Sequence, residues 1–278
     1  MKLVSTKIIE KPETVYNLEI ENDHNYIVEG AVVSNCHMAK ADVLKGLLTS
    51  AFKDCPIRWG LTGTIPKEDH EFLSILSSIG PVVGSLAAKD LQDMGVLSNC
   101  HVEICQLQDQ QVFGDYHSEQ KFLSENPNRL DWVSKFVENI SKDGNSLILV
   151  NKIATGEALQ AAIPDSVFIS GKVKSVDRKD EYDAVSLEDG KVIIATYGVA
   201  AVGINIPRIF NLFLFEPGKS FVRVIQSIGR GLRKAKDKDY VQIYDITSSC
   251  KFSKRHLTAR KRFYKDAGYP FRVTKVKI

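Results

Sequence analysis

Two adjacent residues in this chain have side chains able to make and break a peptide bond. The thiol of Cys36, as thiolate, is a strong nucleophile near neutral pH and can carry an acyl group as a thioester. Asn35, just before it, bears a side-chain amide that can attack its own backbone carbonyl. Closing that succinimide cuts the 35–36 bond. His24 stands upstream as a possible acid–base group. A second constellation lies far downstream, in Gln226-Ser227-Ile228-Gly229-Arg230-Gly231-Leu232-Arg233. Two arginines three apart share one helix face, and such a pair can stabilise charge on a phosphoryl group. The loop that would hold phosphates is missing. Gly218-Lys219-Ser220 ends like a P-loop, but that motif requires glycine at 213, where Phe213 stands. The five cysteines include no CxxC pair, so neither a zinc site nor a disulfide framework is expected, and no metal site in this chain.

The elements that must position these groups fall into two patterns. Residues 1–35 alternate in short runs, Val15 to Glu21, Tyr26 to Val28 and Ala31 to Val33, with Asn22 to Asn25 and Glu29-Gly30 as turn signals. That predicts short antiparallel strands, too few to bury a core without a partner chain. After Cys36, helical and strand patterns alternate. Helices are predicted over 39–53 and 70–79 and strands over 57–62 and 98–107. A polar stretch, 108–127, reads as a connector. From 129 the alternation is regular: helices at 129–141, 154–162, 175–186 and 219–231, and strands at 146–150, 167–170, 191–196, 209–215 and 240–246. Repeated αβ units of this spacing imply an α/β fold with a parallel, doubly wound sheet.

The chain has 278 residues with a formal net charge of +3, unevenly spread. Residues 1–35 hold three lysines against six acids. Residues 251–265 hold seven basic residues and no acid, a composition that often meets phosphates. No apolar run approaches the ~20 residues of a membrane span, and no signal peptide is visible. A cytoplasmic protein without membrane contact is expected.

The front segment, from Val15-Tyr16-Asn17-Leu18 through Asp23-His24-Asn25-Tyr26 to Ser34-Asn35-Cys36, resembles the C-terminal fragment of polymerase-subunit split inteins. The resemblance implies a trans-splicing junction at Asn35-Cys36, assisted by His24, and a separate partner chain carrying the N-intein. Asn17 and Ser34 depart from the commoner residues of inteins, Asp and His.

The remainder resembles superfamily 2 helicases. Gln226 to Arg233 matches motif VI, which makes Arg230 and Arg233 arginine fingers and puts Gln226 at the nucleotide. Ala195-Thr196 through Gly203-Ile204-Asn205 resembles motif V, with Thr196 on the nucleic-acid backbone and Gly203 and Asn205 towards the nucleotide. Ser146 to Asn151 resembles motif IV, and Ser170-Gly171 with Arg178 a further backbone-contact element. Arg260 and Arg262 in the basic segment are further candidates for DNA contact. Leu61-Thr62-Gly63-Thr64-Ile65-Pro66 resembles motif III, through which Thr62 and Thr64 couple hydrolysis to lobe movement. Motif II, Asp-Glu-x-His, belongs just upstream, yet Ser34-Asn35-Cys36-His37 stands there. A partner ending in Asp-Glu would complete it across the junction, with His37 joining the catalytic set. The spread over 36–278, with Asp93-Met94-Gly95-Val96-Leu97, resembles phage recombination helicases, whose relatives act on branched DNA.

These resemblances imply a small all-β intein fragment (1–35), part of a first RecA-like lobe (36–107), a connector (108–128), a complete second RecA-like lobe (129–250) and a basic extension (251–278). ATP and Mg²⁺ would be held mainly by a separate N-terminal half. The implied activity is ATP-dependent unwinding or remodelling of DNA after ligation. A DNA-binding fragment without enzymatic activity, or half of another superfamily 2 translocase, are the alternatives.

Overall fold

The computed structural model describes residues 25–28, 31–35, 46, 48–50, 53–54, 57–61, 69–171, 188–203, 208–220, 224, 227–229, 231–232 and 234–278. The chain divides into two compact units, 1–83 and 84–278.

In the first unit, β1 (Asn25–Val28) and β2 (Ala31–Asn35) pair antiparallel, Val28 opposite Ala31. Only Glu29-Gly30 separates them, a spacing typical of two-residue hairpins. β2 also pairs parallel with β3 (Ile57–Leu61), from Ala31 opposite Ile57 to Asn35 opposite Leu61. The front segment was expected to form short antiparallel strands that need a partner chain to bury a core. Its last strand also shares a mixed three-stranded sheet with the strand that precedes Thr62. The intervening residues 36–56 are long enough for the crossover that a parallel pair needs. α1 (Asp69–Ser78) follows, with Ile75 buried and Leu73 exposed.

The second unit is built on a seven-stranded, all-parallel sheet. In chain order its elements are α2 (Ala88–Asp93), β4 (Asn99–Leu107), α3 (Tyr116–Glu125), α4 (Pro127–Ser141), β5 (Ser146–Val150), α5 (Ile153–Ala162), β6 (Val167–Ile169), β7 (Val192–Thr196), α6 (Tyr197–Gly203), β8 (Asn211–Phe215), β9 (Tyr240–Ser248), α7 (Lys251–Asp266) and β10 (Phe271–Val276). The strand order is β10-β4-β9-β8-β5-β7-β6. Period-two alternation builds a core on each face. Leu147, Leu149, Leu212, Leu214 and Ile243 meet Ile228, Leu232, Leu257 and Tyr264 on one side. Ile148, Val150, Phe213, Phe215 and Ile246 meet Val133, Val137 and Leu159 on the other. Among the described residues no helix is long and apolar enough to cross a membrane.

Three boundaries differ from the sequence reading. Residues 99–107, expected in the first lobe, form β4 between β10 and β9. Nearly all of β4 is buried, because it contributes Val102 and Ile104 to one core and Cys105 and Leu107 to the other. The expected connector contains α3, whose N-cap Asp115 accepts from the Ser118 N–H at 2.9 Å. The expected extension supplies α7 and the edge strand β10, with Phe271 opposite Val102. Arg272 and Thr274 of β10 both donate to the Glu103 carboxylate of β4. The helix predicted at 175–186 lies outside the described residues.

Gly144, between α4 and β5, has φ +145°, and a Cβ there would meet the Phe210 ring at 2.8 Å. Strain and overlap act in the same direction. Gly144→Ala is therefore expected to cost about 1–3 kcal/mol. Urea unfolding would show it, and an unchanged midpoint would contradict it.

Candidate nucleotide and nucleic-acid site

All strands of the large sheet run the same way, so Asn151, Ser170, Thr196, Glu216 and Ser248–Ser249 gather at one edge, each at or just past the end of its strand. In open α/β sheets ligands bind in the crevice at this edge. Ile169 pairs with Ala195, which sets Ser170 and Thr196 at neighbouring strand ends. Ser170 is buried, and Thr196 is half-buried. The Thr196 hydroxyl accepts from the Val199 N–H at 3.4 Å, opening α6, which closes on Gly203. The structure thus sets Ser170, Thr196 and the first turn of α6 at one sheet edge, and Gly203 at the far end of that helix.

The segment expected to carry the arginine pair is anchored by one apolar face. Val224, Ile228 and Leu232 recur every four residues and are buried in the core. Gly231 packs so closely that an added Cβ would lie 3.1 Å from Leu212. Lys238 is buried behind it and donates from Nζ to the Gly231 carbonyl at 2.7 Å. Burial pulls the Lys238 pKa from 10.5 down to about 7. Between those values the folded chain binds fewer protons at Lys238 than the unfolded chain does. The Lys238 contribution to stability therefore rises with pH through that window. Lys238→Met is expected to remove this rise. Comparing urea midpoints at about pH 6.5 and about pH 9.5 checks it, and parallel behaviour of variant and wild type would contradict it.

Behind the edge lies a buried polar network that the sequence reading did not anticipate. Glu216 follows β8 with φ +44°, a left-handed conformation in a non-glycine residue. Its carboxylate accepts from Arg129 Nη2 at 2.5 Å, and its carbonyl accepts from Asn151 Nδ2 at 2.6 Å. Arg129, 0% exposed, also pairs with Asp109. Asp109 in turn accepts from the Ser248 hydroxyl at 2.6 Å. Burial pushes the Glu216 carboxyl up to about 7, against the opposing pull of Arg129 and Arg260. Glu119 of α3 caps α7, accepting from the Phe252 and Ser253 N–H groups at 3.0 and 2.7 Å.

Arg260 corrects an expectation. It was placed on DNA, but it is 1% exposed and gives Nε and Nη2 to Asp245 at 2.8 and 2.9 Å. Its Nη1 donates to the Gly218 carbonyl at 2.7 Å, and Tyr264 donates to Asp245 at 2.8 Å. Ser253, Leu257, Arg260 and Tyr264 form the buried stripe of α7, a four-three-four spacing visible in the sequence. Arg262, with Lys254, Arg255 and Lys265, is exposed on the other side.

Phe213 is buried in β8 and stacks on Tyr244, ring centroids 4.7 Å apart. The P-loop position it occupies is thus core, and Gly218-Lys219-Ser220 cannot cradle phosphates as a P-loop does. His24, Cys36, His37, Thr62, Thr64, Arg178, Asn205, Gln226, Arg230 and Arg233 lie outside the described residues. Asn35 is described as the last residue of β2. No group of three or more His, Cys, Asp or Glu suited to a metal occurs among the described residues.

Comparison with known proteins gives this edge a context. Residues 128–235 match the helicase conserved C-terminal domain. That match lies within the second unit, along its seven-stranded parallel sheet. The chain is 22% identical over 239 residues to the ATP-dependent DNA helicase uvsW of Enterobacteria phage T4, covering 82% of this chain and 47% of that protein. It spans about half the length of the curated relatives it matches. The T4 UvsW crystal structure aligns with a TM-score of 0.56 at 18% identity, over 88% of this chain and 53% of that one. A restriction-enzyme HsdR subunit fragment from Vibrio vulnificus YJ016 aligns at 0.66 with 16% identity, over 83% and 46%. At these identities the solved structures show a shared fold.

Proposed function

We propose that this chain is the C-terminal half of an ATP-driven superfamily 2 DNA helicase, joined to a separate N-terminal half by trans-splicing between Asn35 and Cys36. One coincidence carries the reading. The intein-like boundary Ser34-Asn35-Cys36 falls where the helicase resemblance places motif II, upstream of Leu61 to Pro66. Two unrelated patterns meet at one bond.

In the splicing reaction the Cys36 thiolate takes the partner's acyl group as a thioester, and the partner's intein leaves as the other product of that exchange. The Asn35 amide nitrogen then attacks the Asn35 carbonyl and expels the Cys36 amine. The front segment leaves as a succinimide-ended peptide. The freed amine attacks the thioester carbonyl, a peptide bond forms, and the thiol is regenerated. His24 serves the cleavage step as an acid–base group.

In the ligated motor, ATP with Mg²⁺ supplies the energy of movement and is bound mainly by the partner half. From this chain, Arg230 and Arg233 offset charge that develops on the transferred phosphoryl group. Gln226, Gly203 and Asn205 line the nucleotide side. His37 links the completed motif II to Thr62 and Thr64. Ser170, Thr196, Arg178 and Arg262 meet the DNA backbone, Arg260 being committed to the interior. By the same resemblance the substrate is branched DNA.

The exposed basic side of α7 favours a second role, salt-sensitive DNA binding by the lone chain. A restriction-type translocase would share fold and ATP use and would differ in lacking strand separation.

The test is to mix this chain with one that carries a P-loop, ends in Asp-Glu and bears an N-intein. Mass spectrometry is expected to find a ligated product containing Asp-Glu-Cys-His, absent with Asn35→Ala or Cys36→Ala. DNA binding without ligation would leave only the second role.

A further inference from the structure

The pairing of β2 with β3 has a meaning that rests on the trans-splicing reading and goes beyond it. β2 ends at Asn35, so the next residue is Cys36, the first residue retained in the ligated protein. The covalent path from Cys36 to β3 is the same before and after splicing. Whatever precedes Cys36 in the product is therefore attached at the residue to which residues 31–35 are now attached. Those five residues lie parallel to β3 in unbroken register, with Ser34 opposite Gly60 and Asn35 opposite Leu61. In the order β1-β2-β3, β2 is the strand partner of β3 among the described residues. Without it that edge of β3 would present unpaired N–H and C=O groups, an invitation to aggregation.

We propose that β2 is a stand-in strand: the edge of β3 is the docking surface for the partner's last few residues, and β2 occupies it until splicing. The occupant is an extended segment of the N-terminal half, apolar and β-branched like Ala31-Val32-Val33, and ending in Asp-Glu beside Leu61. β-branched residues suit a strand paired within a parallel sheet. Ligation and strand exchange are then coupled. Residues 1–35 leave the edge as the partner's strand takes it, one set of backbone hydrogen bonds replacing another.

Hydrogen exchange on the intact chain tests this. Amides of Ile57–Leu61 are expected to exchange at least about tenfold more slowly in the wild type than in Val32→Pro, which cannot complete the pairing. They are expected to be equally slow in the ligated product freed of residues 1–35. Protection of α1 unchanged by Val32→Pro shows that pairing, not folding of the unit, was lost. Should that variant unfold α1 as well, a photocrosslinker in place of Val32 decides. Capture of the Ile57–Leu61 peptide before ligation, and its loss afterwards, supports the exchange, and capture elsewhere alone overturns it. Efficient ligation from a chain whose Ile57–Leu61 amides are unprotected overturns the stand-in and leaves splicing intact. Protected amides with no ligation to a matched partner overturn the splicing reading, and the exchange falls with it.

Discussion

Arg260→Ala is expected to destabilise the second unit by about 3–5 kcal/mol, because it leaves a carboxylate buried without its counter-charge. Asp245 is 0% exposed and receives both Arg260 nitrogens. The remaining donor on Asp245 is the Tyr264 hydroxyl. The Arg260 contact with the Gly218 carbonyl also ties α7 to the loop after β8, so the loss should propagate along the segment leading to Arg230 and Arg233. Removing the charges and the hydroxyl that binds them, as Arg260→Met with Asp245→Leu and Tyr264→Phe, is expected to recover most of the loss, since the apolar set leaves neither a charge nor that hydroxyl buried without a partner. Arg262→Ala provides the contrast. Its exposed side chain should leave stability within about 0.5 kcal/mol and weaken DNA binding, lowering the salt slope by about one unit. Urea unfolding and binding at several salt concentrations separate the two arginines. Unaltered stability with lost DNA affinity in Arg260→Ala would contradict the structural role.

The second large effect concerns turnover. In the ligated protein, Arg230→Ala or Arg233→Ala is expected to lower the rate of ATP hydrolysis by about a thousandfold or more, the scale of an arginine finger. Folding should be little affected, because the segment is anchored by Val224, Ile228 and Leu232. Turnover and thermal unfolding measured on the same samples distinguish catalysis from collapse. A loss below about tenfold with normal stability would make the pair an ordinary surface feature.

The parallel lobe was legible because its strands are runs such as Leu147 to Val150 and Leu212 to Phe215, separated by helical periodicity. Its limits were not. β4 follows Leu61 to Pro66 in the chain and was assigned to the same lobe, yet its partners β9 and β10 come from far along the chain. β10 is mostly exposed, so composition gives it no core signature. Arg129 and Glu216 are 87 residues apart, and nothing local announces that they meet. Arg260 was misread because its charge outweighed its place in the Leu257–Tyr264 stripe. At the edge, Ser170 and Thr196 stand at neighbouring strand ends, since a parallel sheet fixes where its loops emerge.

On the proposed reading, this chain completes an ATP-driven motor. The most direct measurement is DNA-stimulated ATP hydrolysis by this chain, by its matched partner and by their ligated product. The expected result is turnover in the ligated product far above either half, abolished when Asn35→Ala prevents ligation. Equal turnover by the isolated chain, or a ligated product that hydrolyses no ATP with DNA present, would contradict the account.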